Sequence, residues 1–383
     1  MSAEETVSLC TWKTFPLSGF FSQVMASYNF VSVVIAIDIM ERTGLSVPSG
    51  ATIALDSAIY GGAIAGMFMM GYVGDRIGRA SAMNITLALM AVGGVGSGAA
   101  SWGSDHAIYA CITGFRFILG FGLGGTFPLT ATSVAERSAE HGRMVRLTNV
   151  GIAYTGQGVG YTLPYVFVYL LWLGWFGNDS YNVRTFEWRS TLIMGGLPAL
   201  LLIYFQPADT LNKSKSAQDL SGTVATRLQE GGYLTKLAGT GGVWFVYDVL
   251  SFGVKMFAPS IVEDIFNDDD GDDDSETLGE VCWQNIALNL CQIPAMLLTI
   301  YLIPYIGHKK LLVSSFIAQL LCFLALGCVH VWDTSDDVAM FAILCFVYFF
   351  QGFGCGMCNF ILAAESYPME VGNFQTNNAC RKA

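Results

Sequence analysis

Charge is what this sequence has least of. Only 13% of its 383 residues are Asp, Glu, Lys or Arg, about half the share of an ordinary soluble domain. Hydrophobic residues make up 53%, so too little polar surface is left for a globular chain in water. Histidine is scarce too: His106, His141, His308 and His330 lie near the ends of apolar runs with no ligand spacing, and no metal site is expected. The ten cysteines are scattered through a chain too long to need stapling. Cys355 and Cys358 form a C-x-x-C inside an apolar run, without the helix start or second pair that redox or zinc chemistry needs, and read as packing. The 43 glycines follow no G-X-Y period, which excludes collagen. P-loop, H-E-x-x-H and G-x-S-x-G patterns are absent, so neither an enzyme nor a cofactor is expected.

What the sequence has instead is long apolar runs. A membrane-spanning helix needs about 20 mostly apolar residues, and ten such stretches occur, at approximately 16–40, 52–74, 81–102, 107–134, 147–173, 190–206, 239–262, 281–305, 311–332 and 338–362. They are continuously apolar, unlike the ten-residue alternation of a membrane barrel, and a helix satisfies its own backbone groups in hydrocarbon. The expected fold class is an all-α membrane protein, a helical bundle. The first run is too long for a signal peptide and lacks a small-residue cleavage site, so no cleavable leader is expected.

Positive charge orients such a bundle, because loops near the spans carry their Lys and Arg excess on the cytoplasmic side. With the N-terminus inside, Lys13, Arg76, Arg79, Arg137, Arg143, Arg146, Lys213, Lys215, Arg227, Lys236, Lys309, Lys310, Arg381 and Lys382 are cytoplasmic, against Arg42, Arg184 and Arg189 outside. The acidic run Asn267 to Asp274 then joins the seventh and eighth spans outside as a solvated loop. As a calcium loop it would place Phe266 and Thr277 where Asp and Glu belong. That run holds much of the net charge of −11, which therefore does not bear on nucleic acid, and no nucleic-acid partner is expected. Asn178-Asp179-Ser180 is a weak glycan acceptor signal in an outer loop.

The chain repeats itself. Ile77-Gly78-Arg79, after the second span, returns 229 residues later as Ile306-Gly307-His308 after the eighth; Gly125 with Ala135-Glu136 returns at the same offset as Gly354 with Ala364-Glu365. Two anchors with one offset argue for two six-span repeats, the parallel arrangement in which transporter halves rock around a central site. The expected organisation is an N-terminal half over 1–206, a polar cytoplasmic linker over 207–236, and a C-terminal half over 237–383 in which two spans are missing by that count.

The most specific motif is Gly71-Tyr72-Val73-Gly74-Asp75-Arg76-Ile77-Gly78-Arg79, between the second and third spans. It resembles the signature G-x-x-x-D-R-x-G-R of the major facilitator superfamily and matches every fixed position. Asp75 can cap a helix end or pair with an Arg, and Gly78 permits a tight turn. Gly71, Asp75, Arg76, Gly78, Arg79, Glu136 and Glu365 are accordingly candidates for a conformational latch. The fourth span, from Arg116-Phe117 through Gly120, Gly122, Gly124 and Gly125 to Pro128, also resembles the superfamily. Arg116, a costly charge inside a span, serves either proton coupling, anion attraction or helix packing. These glycines satisfy G-x-G-x-x-G, but inside an apolar helix they let helices approach rather than bind a dinucleotide.

Within the superfamily the chain is most similar to the phosphate:proton symporters, through the fourth-span stretch, Gly156-Gln157-Gly158, Trp244-Phe245-Val246-Tyr247-Asp248 and Glu365-Ser366-Tyr367-Pro368. The resemblance implies that Gln157, Trp244 and Asp248 border phosphate. Asp248 stands out without it, since a lone carboxylate midway through a span must bind, pair or carry a proton; the bland alternative is a structural Asp paired across helices or loosely with Lys255. Departures are plain: the family's first-span acidic pair is Ala26-Ser27-Tyr28-Asn29 here, its fourth-span Asp-Tyr is Thr126-Phe127, its seventh-span Tyr is Phe252, and its tenth-span Gly-Pro-Asn is Gly354-Cys355-Gly356. Tyr28 and Asn29 stay as candidates at the first-span position. The resemblance thus implies a bilayer-embedded secondary transporter of a small anion, phosphate first, to which Arg116 or Lys255 could supply positive charge, with protons as the coupling ion and the plasma membrane as its place. A facilitator of another organic ion or sugar, and a non-transporting sensor or truncated relic, are the alternatives.

Overall fold

The computed structural model describes residues 17–46, 48, 50–99, 102–138, 142–175, 180–205, 233–266, 277–331 and 337–366. The acidic run at 267–274, Asn178 and Asp179, Lys13, the linker as far as residue 232 and the tail from residue 367 lie outside the described residues, as do the side chains of Asp75, Glu136, Arg137 and His330. Among the described residues the chain is helical: α1 Leu17–Arg42, α2 Ala51–Ile77, α3 Arg79–Ala99, α4 Asp105–Arg137, α5 Arg143–Gly174, α6 Tyr181–Met194, α7 Leu197–Phe205, α8 Tyr233–Phe266, α9 Leu278–Leu290, α10 Gln292–Ile306, α11 His308–Val331, α12 Asp337–Phe350 and, after a wide turn, α13 Gly356–Ser366. The pairs α6 with α7, α9 with α10, and α12 with α13 each make one span, which gives the ten expected.

Nine of these spans are long and apolar enough to cross a membrane on hydropathy alone. The other is α5, and its polarity has a structural cause. Asn149, Thr155, Gln157 and Thr162 of α5 are all buried against protein, because this helix packs on α1 on one side and on α9, α10 and α13 on the other. Groups that lipid would penalise find protein partners there: Gln157 meets Gln23, Asn149 meets Ser138, and Thr162 meets the Gly158 carbonyl. The lipid-facing sides are the reverse, with Phe68, Tyr204 and Val338 at least 75% exposed.

The sixth span begins at Tyr181, not near residue 190 as hydropathy suggests. Arg184 and Glu187 break the apolar pattern, yet both are buried and pair at 2.9 Å one turn apart. Arg189, expected in an outer loop, is helical too; it donates to the Gly98 carbonyl and lies between the Trp102 and Trp188 rings.

The repeat is visible in the backbone. Gly78 and Gly307, 229 residues apart, both take positive φ, 98° and 85°, and donate their N–H to Gly74 and Ile303, themselves 229 apart. At the same offset a Cβ on Gly125 would meet Thr86 Oγ1, and one on Gly354 would meet Ser315 Oγ. The copies diverge at the tenth span, where Phe353 and Gly354 leave helical geometry and interrupt the helix.

Two apolar clusters fill the seam between α1–α7 and α8–α13. One joins α1, α2, α4, α5 and α6 to Leu278, Val281 and Cys282 of α9. The other joins Val134, Leu147 and Tyr154 to residues of α10, α11 and α13. Asp248, Lys255 and the Glu365 cluster lie along this seam, while Gln157, Tyr28, Asn29 and Arg116 bond within α1–α7.

Candidate functional site

Asp248 sits midway along α8 and is partly exposed. Among the described residues its carboxylate makes no hydrogen bond and no ion pair. It lies within electrostatic reach of Tyr60, Tyr154 and Tyr161, which belong to α2 and α5 across the seam. Lys255, two turns further along α8, does not close an ion pair on it. Its Nζ instead donates to Ser251 Oγ at 2.9 Å and Gln351 Oε1 at 2.8 Å, and lies 4.5 Å from the Tyr161 ring centre. The loose pairing considered from the sequence is electrostatic only.

Closures flank Asp248 on both sides. Toward the Glu365 end of the bundle, Tyr154 Oη and Tyr247 Oη share a hydrogen bond of 2.9 Å, and Trp244 packs edge-on against Tyr247 and Phe360. Toward the other end, the Phe252 ring centre is 4.8 Å from Phe30 and 5.3 Å from Tyr60. Phe252 therefore makes an aromatic contact across the seam where a Tyr would add a hydroxyl.

The remaining candidates lie around this centre in different roles. Gln157 is buried, with Nε2 donating to Gln23 Oε1 at 2.9 Å, so its amide ties α5 to α1. Tyr28 donates to the Thr191 carbonyl, and Asn29 donates to the Met25 and Gly195 carbonyls; both hold α1 against the sixth span. Arg116 is fully buried beneath them, with Nη1 donating to the Asn29 carbonyl and Nη2 to Ser32 Oγ. Asp56 is within its electrostatic reach. Three residues went unnoticed in the sequence: Gln23, Gln351 and Asn359. Gln351 and Asn359 are completely buried amides of the tenth span, and among the described residues the Nε2 of Gln351 and both polar atoms of Asn359 have no partner. A lone amide in an apolar run was the available signal. The span that lacks an amide at Gly356 thus carries two others nearby.

The latch candidates assemble at one end. Glu365 receives Arg143 through Nε at 2.6 Å and Nη2 at 3.2 Å, with Arg146 at 3.7 Å and His308 at 3.3 Å. Burial opposes ionisation of Glu365, but the Arg143 hydrogen bond and the neighbouring positive charges outweigh it and hold its carboxyl below the usual glutamate value. Arg143 and Arg146 belong to α5, Glu365 and His308 to the helices across the seam. Gly78 makes the expected turn, Arg79 lies against Gly74, and Arg76 stacks on exposed Tyr72 with Gly71 nearby on α2.

The seam is thus largely apolar and aromatic, with Asp248 set between the Tyr154–Tyr247 hydrogen bond and the Phe30–Phe252–Tyr60 contact and, among the described residues, without a hydrogen bond or ion pair of its own. The family model of the Major Facilitator Superfamily matches residues 17–374. The chain belongs to this superfamily. As a major facilitator chain it is an integral, multi-pass membrane protein of the lipid bilayer. It is 32% identical to "Inorganic phosphate transporter PT2" of Toxoplasma gondii over 90% of its own length and 60% of that protein's. It is 26% identical to "Probable inorganic phosphate transporter 1-12" of Oryza sativa, over 85% of this chain and 69% of that one. The chain thus spans about three-fifths of the first relative and about seven-tenths of the second. Among solved structures, the partially occluded, inward-open xylose transporter XylE of E. coli superposes with a TM-score of 0.68 over 93% of this chain and 85% of that one, at 17% identity. XylE bound to 6-bromo-6-deoxy-D-glucose gives 0.70 over 94% and 82%, also at 17%. These two likenesses concern the fold.

Proposed function

We propose that this major facilitator chain moves inorganic phosphate together with protons by alternating access, with residues 1–206 and 237–383 as the rocking halves and 207–236 as their linker. The observation that carries the reading is Asp248: a carboxylate on the seam with no hydrogen bond or ion pair among the described residues, within electrostatic reach of tyrosines of the opposite half. A charge in a span costs roughly 2.5–3.5 kcal/mol on insertion scales, and such residues mark ion and proton routes. The names of the relatives supply the solute. Trp244 lines the approach, Gln157, Tyr28 and Asn29 fix the first and fifth spans around it, and Arg116 sets the local field. Glu365, with Arg143, Arg146 and His308, latches one face, the cytoplasmic one on the positive-inside reading, with the N-terminus inside and the plasma membrane as the site of action.

The test is phosphate uptake into proteoliposomes with and without a protonophore, for the intact chain and for Asp248→Asn. Protonophore-sensitive uptake that the substitution abolishes is expected. Uptake that ignores both would sink the reading. A sugar or other organic solute is the second reading, supported by the aromatic faces of Phe30, Tyr60 and Phe252; competition of unlabelled sugars in the same assay separates it.

A further inference from the structure

Lys255 is only 4% exposed, and its two hydrogen-bond partners are both neutral. A buried ion whose hydrogen-bond partners are neutral, and on which Asp248 acts only at a distance, favours an arriving counter-ion. Beside it Gln351 is completely buried, with its Nε2 donors unused. Positive charge and spare donors therefore converge at one point, inside the protein and at mid-depth.

The backbone is interrupted beside that point. Immediately after Gln351 the tenth span departs from helix at Phe353 and Gly354, and the Gly354 N–H is taken by Thr299 Oγ1 at 3.1 Å. The interruption is thus held by protein groups. Interrupted helices at this depth are where transporters place ion and solute sites.

We propose that Lys255, Ser251 and Gln351 form an anion subsite that binds one end of a tetrahedral oxyanion, with Asp248 at its other end. The proposal rests on the reading of the chain as a phosphate carrier and adds which cation receives the phosphate. Arg116 is less suited, since its guanidinium is already engaged by Asn29 and Ser32 with Asp56 nearby. Lys255 has a flexible stem, and Asp248 lies seven residues away on the same helix, about 10.5 Å along its axis. One phosphate oxygen takes the ammonium and the Gln351 amide. Protonated Asp248 donates to another oxygen, whereas ionised Asp248 repels the anion. Proton and phosphate then occupy the seam together or leave it together.

The test uses the full chain in proteoliposomes, with radiolabelled phosphate binding and thermal unfolding as paired readouts. Gln351→Glu places a carboxylate against the Lys255 ammonium and neutralises it. The expected result is phosphate binding weakened about tenfold or more with the unfolding temperature kept or raised. Lys255→Met is expected to lose binding likewise, and Lys255→Arg to retain most of it. A purely structural Lys255 would gain stability from Gln351→Glu and lose no binding. Intact-chain phosphate binding that survives both Gln351→Glu and Lys255→Met within about twofold would overturn the subsite and leave the phosphate reading standing. Lys255-dependent binding of sulfate, with none of phosphate, would overturn the phosphate reading and keep the subsite. No binding of either anion by the intact chain would overturn both.

Discussion

The hydroxyls of Tyr154 and Tyr247 lie 2.9 Å apart, joining α5 to α8 across the seam. Both side chains are buried, and a Cβ on Gly356 of the tenth span would collide with them. Three spans therefore meet at one hydrogen bond next to Asp248. A buried hydroxyl left without a partner bears its desolvation cost, about 1–3 kcal/mol, whereas removing both partners is close to neutral; Tyr247 also bonds Ser251, so the larger loss falls on Tyr247→Phe, which orphans the Tyr154 hydroxyl. Tyr154→Phe and Tyr247→Phe are each expected to lower the unfolding temperature, and the double variant to recover most of the loss. A double-mutant cycle by thermal unfolding checks this; additive losses would deny the bond.

The Glu365 cluster predicts a charge-swap rescue. Arg143 is largely exposed, so its pair with Glu365 is worth about 0.2–1 kcal/mol after solvent screening. Glu365→Gln should shift the balance toward opening at that face up to about fivefold, and Arg143→Glu combined with Glu365→Arg should restore it. Accessibility of single cysteines placed in the seam measures the balance.

The same cluster has a definite pH sign. Because the latched carboxyl lies below its free value, its contribution is fully present above the usual glutamate pKa of about 4.3 and is lost as pH falls through the lowered, latched value. Glu365 itself should therefore contribute no pH dependence to cysteine accessibility between pH 6 and 8, to a precision of about 10%. A Glu365-dependent change in that range that persists when His308, 3.3 Å from the carboxylate, is replaced by Gln would contradict the lowered value.

Much of this architecture was legible in the sequence, and the misreadings have physical causes. Hydropathy located the spans because lipid demands continuous apolar surface. It misplaced the start of the sixth because Arg184 and Glu187 neutralise each other at 2.9 Å, a pairing that a residue-by-residue scale counts as two penalties. The 229-residue offset that linked Glu136 to Glu365 also pointed to the latch end, where His308 meets Glu365. Partners across the seam were not legible: nothing local says that Gln157 reaches Gln23, that Tyr28 reaches Thr191, or that Lys255 chooses Gln351 over Asp248. Such choices depend on which helices become neighbours, and that is fixed by the whole bundle.

The glycines of α4 make the last prediction, because one helix carries both the test and its control. A Cβ on Gly124 would run into the Ala63 carbonyl of α2, and one on Gly120 into the Ile59 carbonyl, so these two helices approach backbone to backbone. Gly114, on the same helix, has nothing within 4 Å. Gly124→Ala must push α2 and α4 apart or strain both, at a cost of about 1–3 kcal/mol for an overpacked site. Gly114→Ala meets no obstacle and removes backbone freedom from the unfolded chain, a gain of up to about 1 kcal/mol. Thermal unfolding in detergent should therefore move in opposite directions for the same chemical change. Equal shifts would mean that α4 is not held by close contact, and the glycine run would need another explanation.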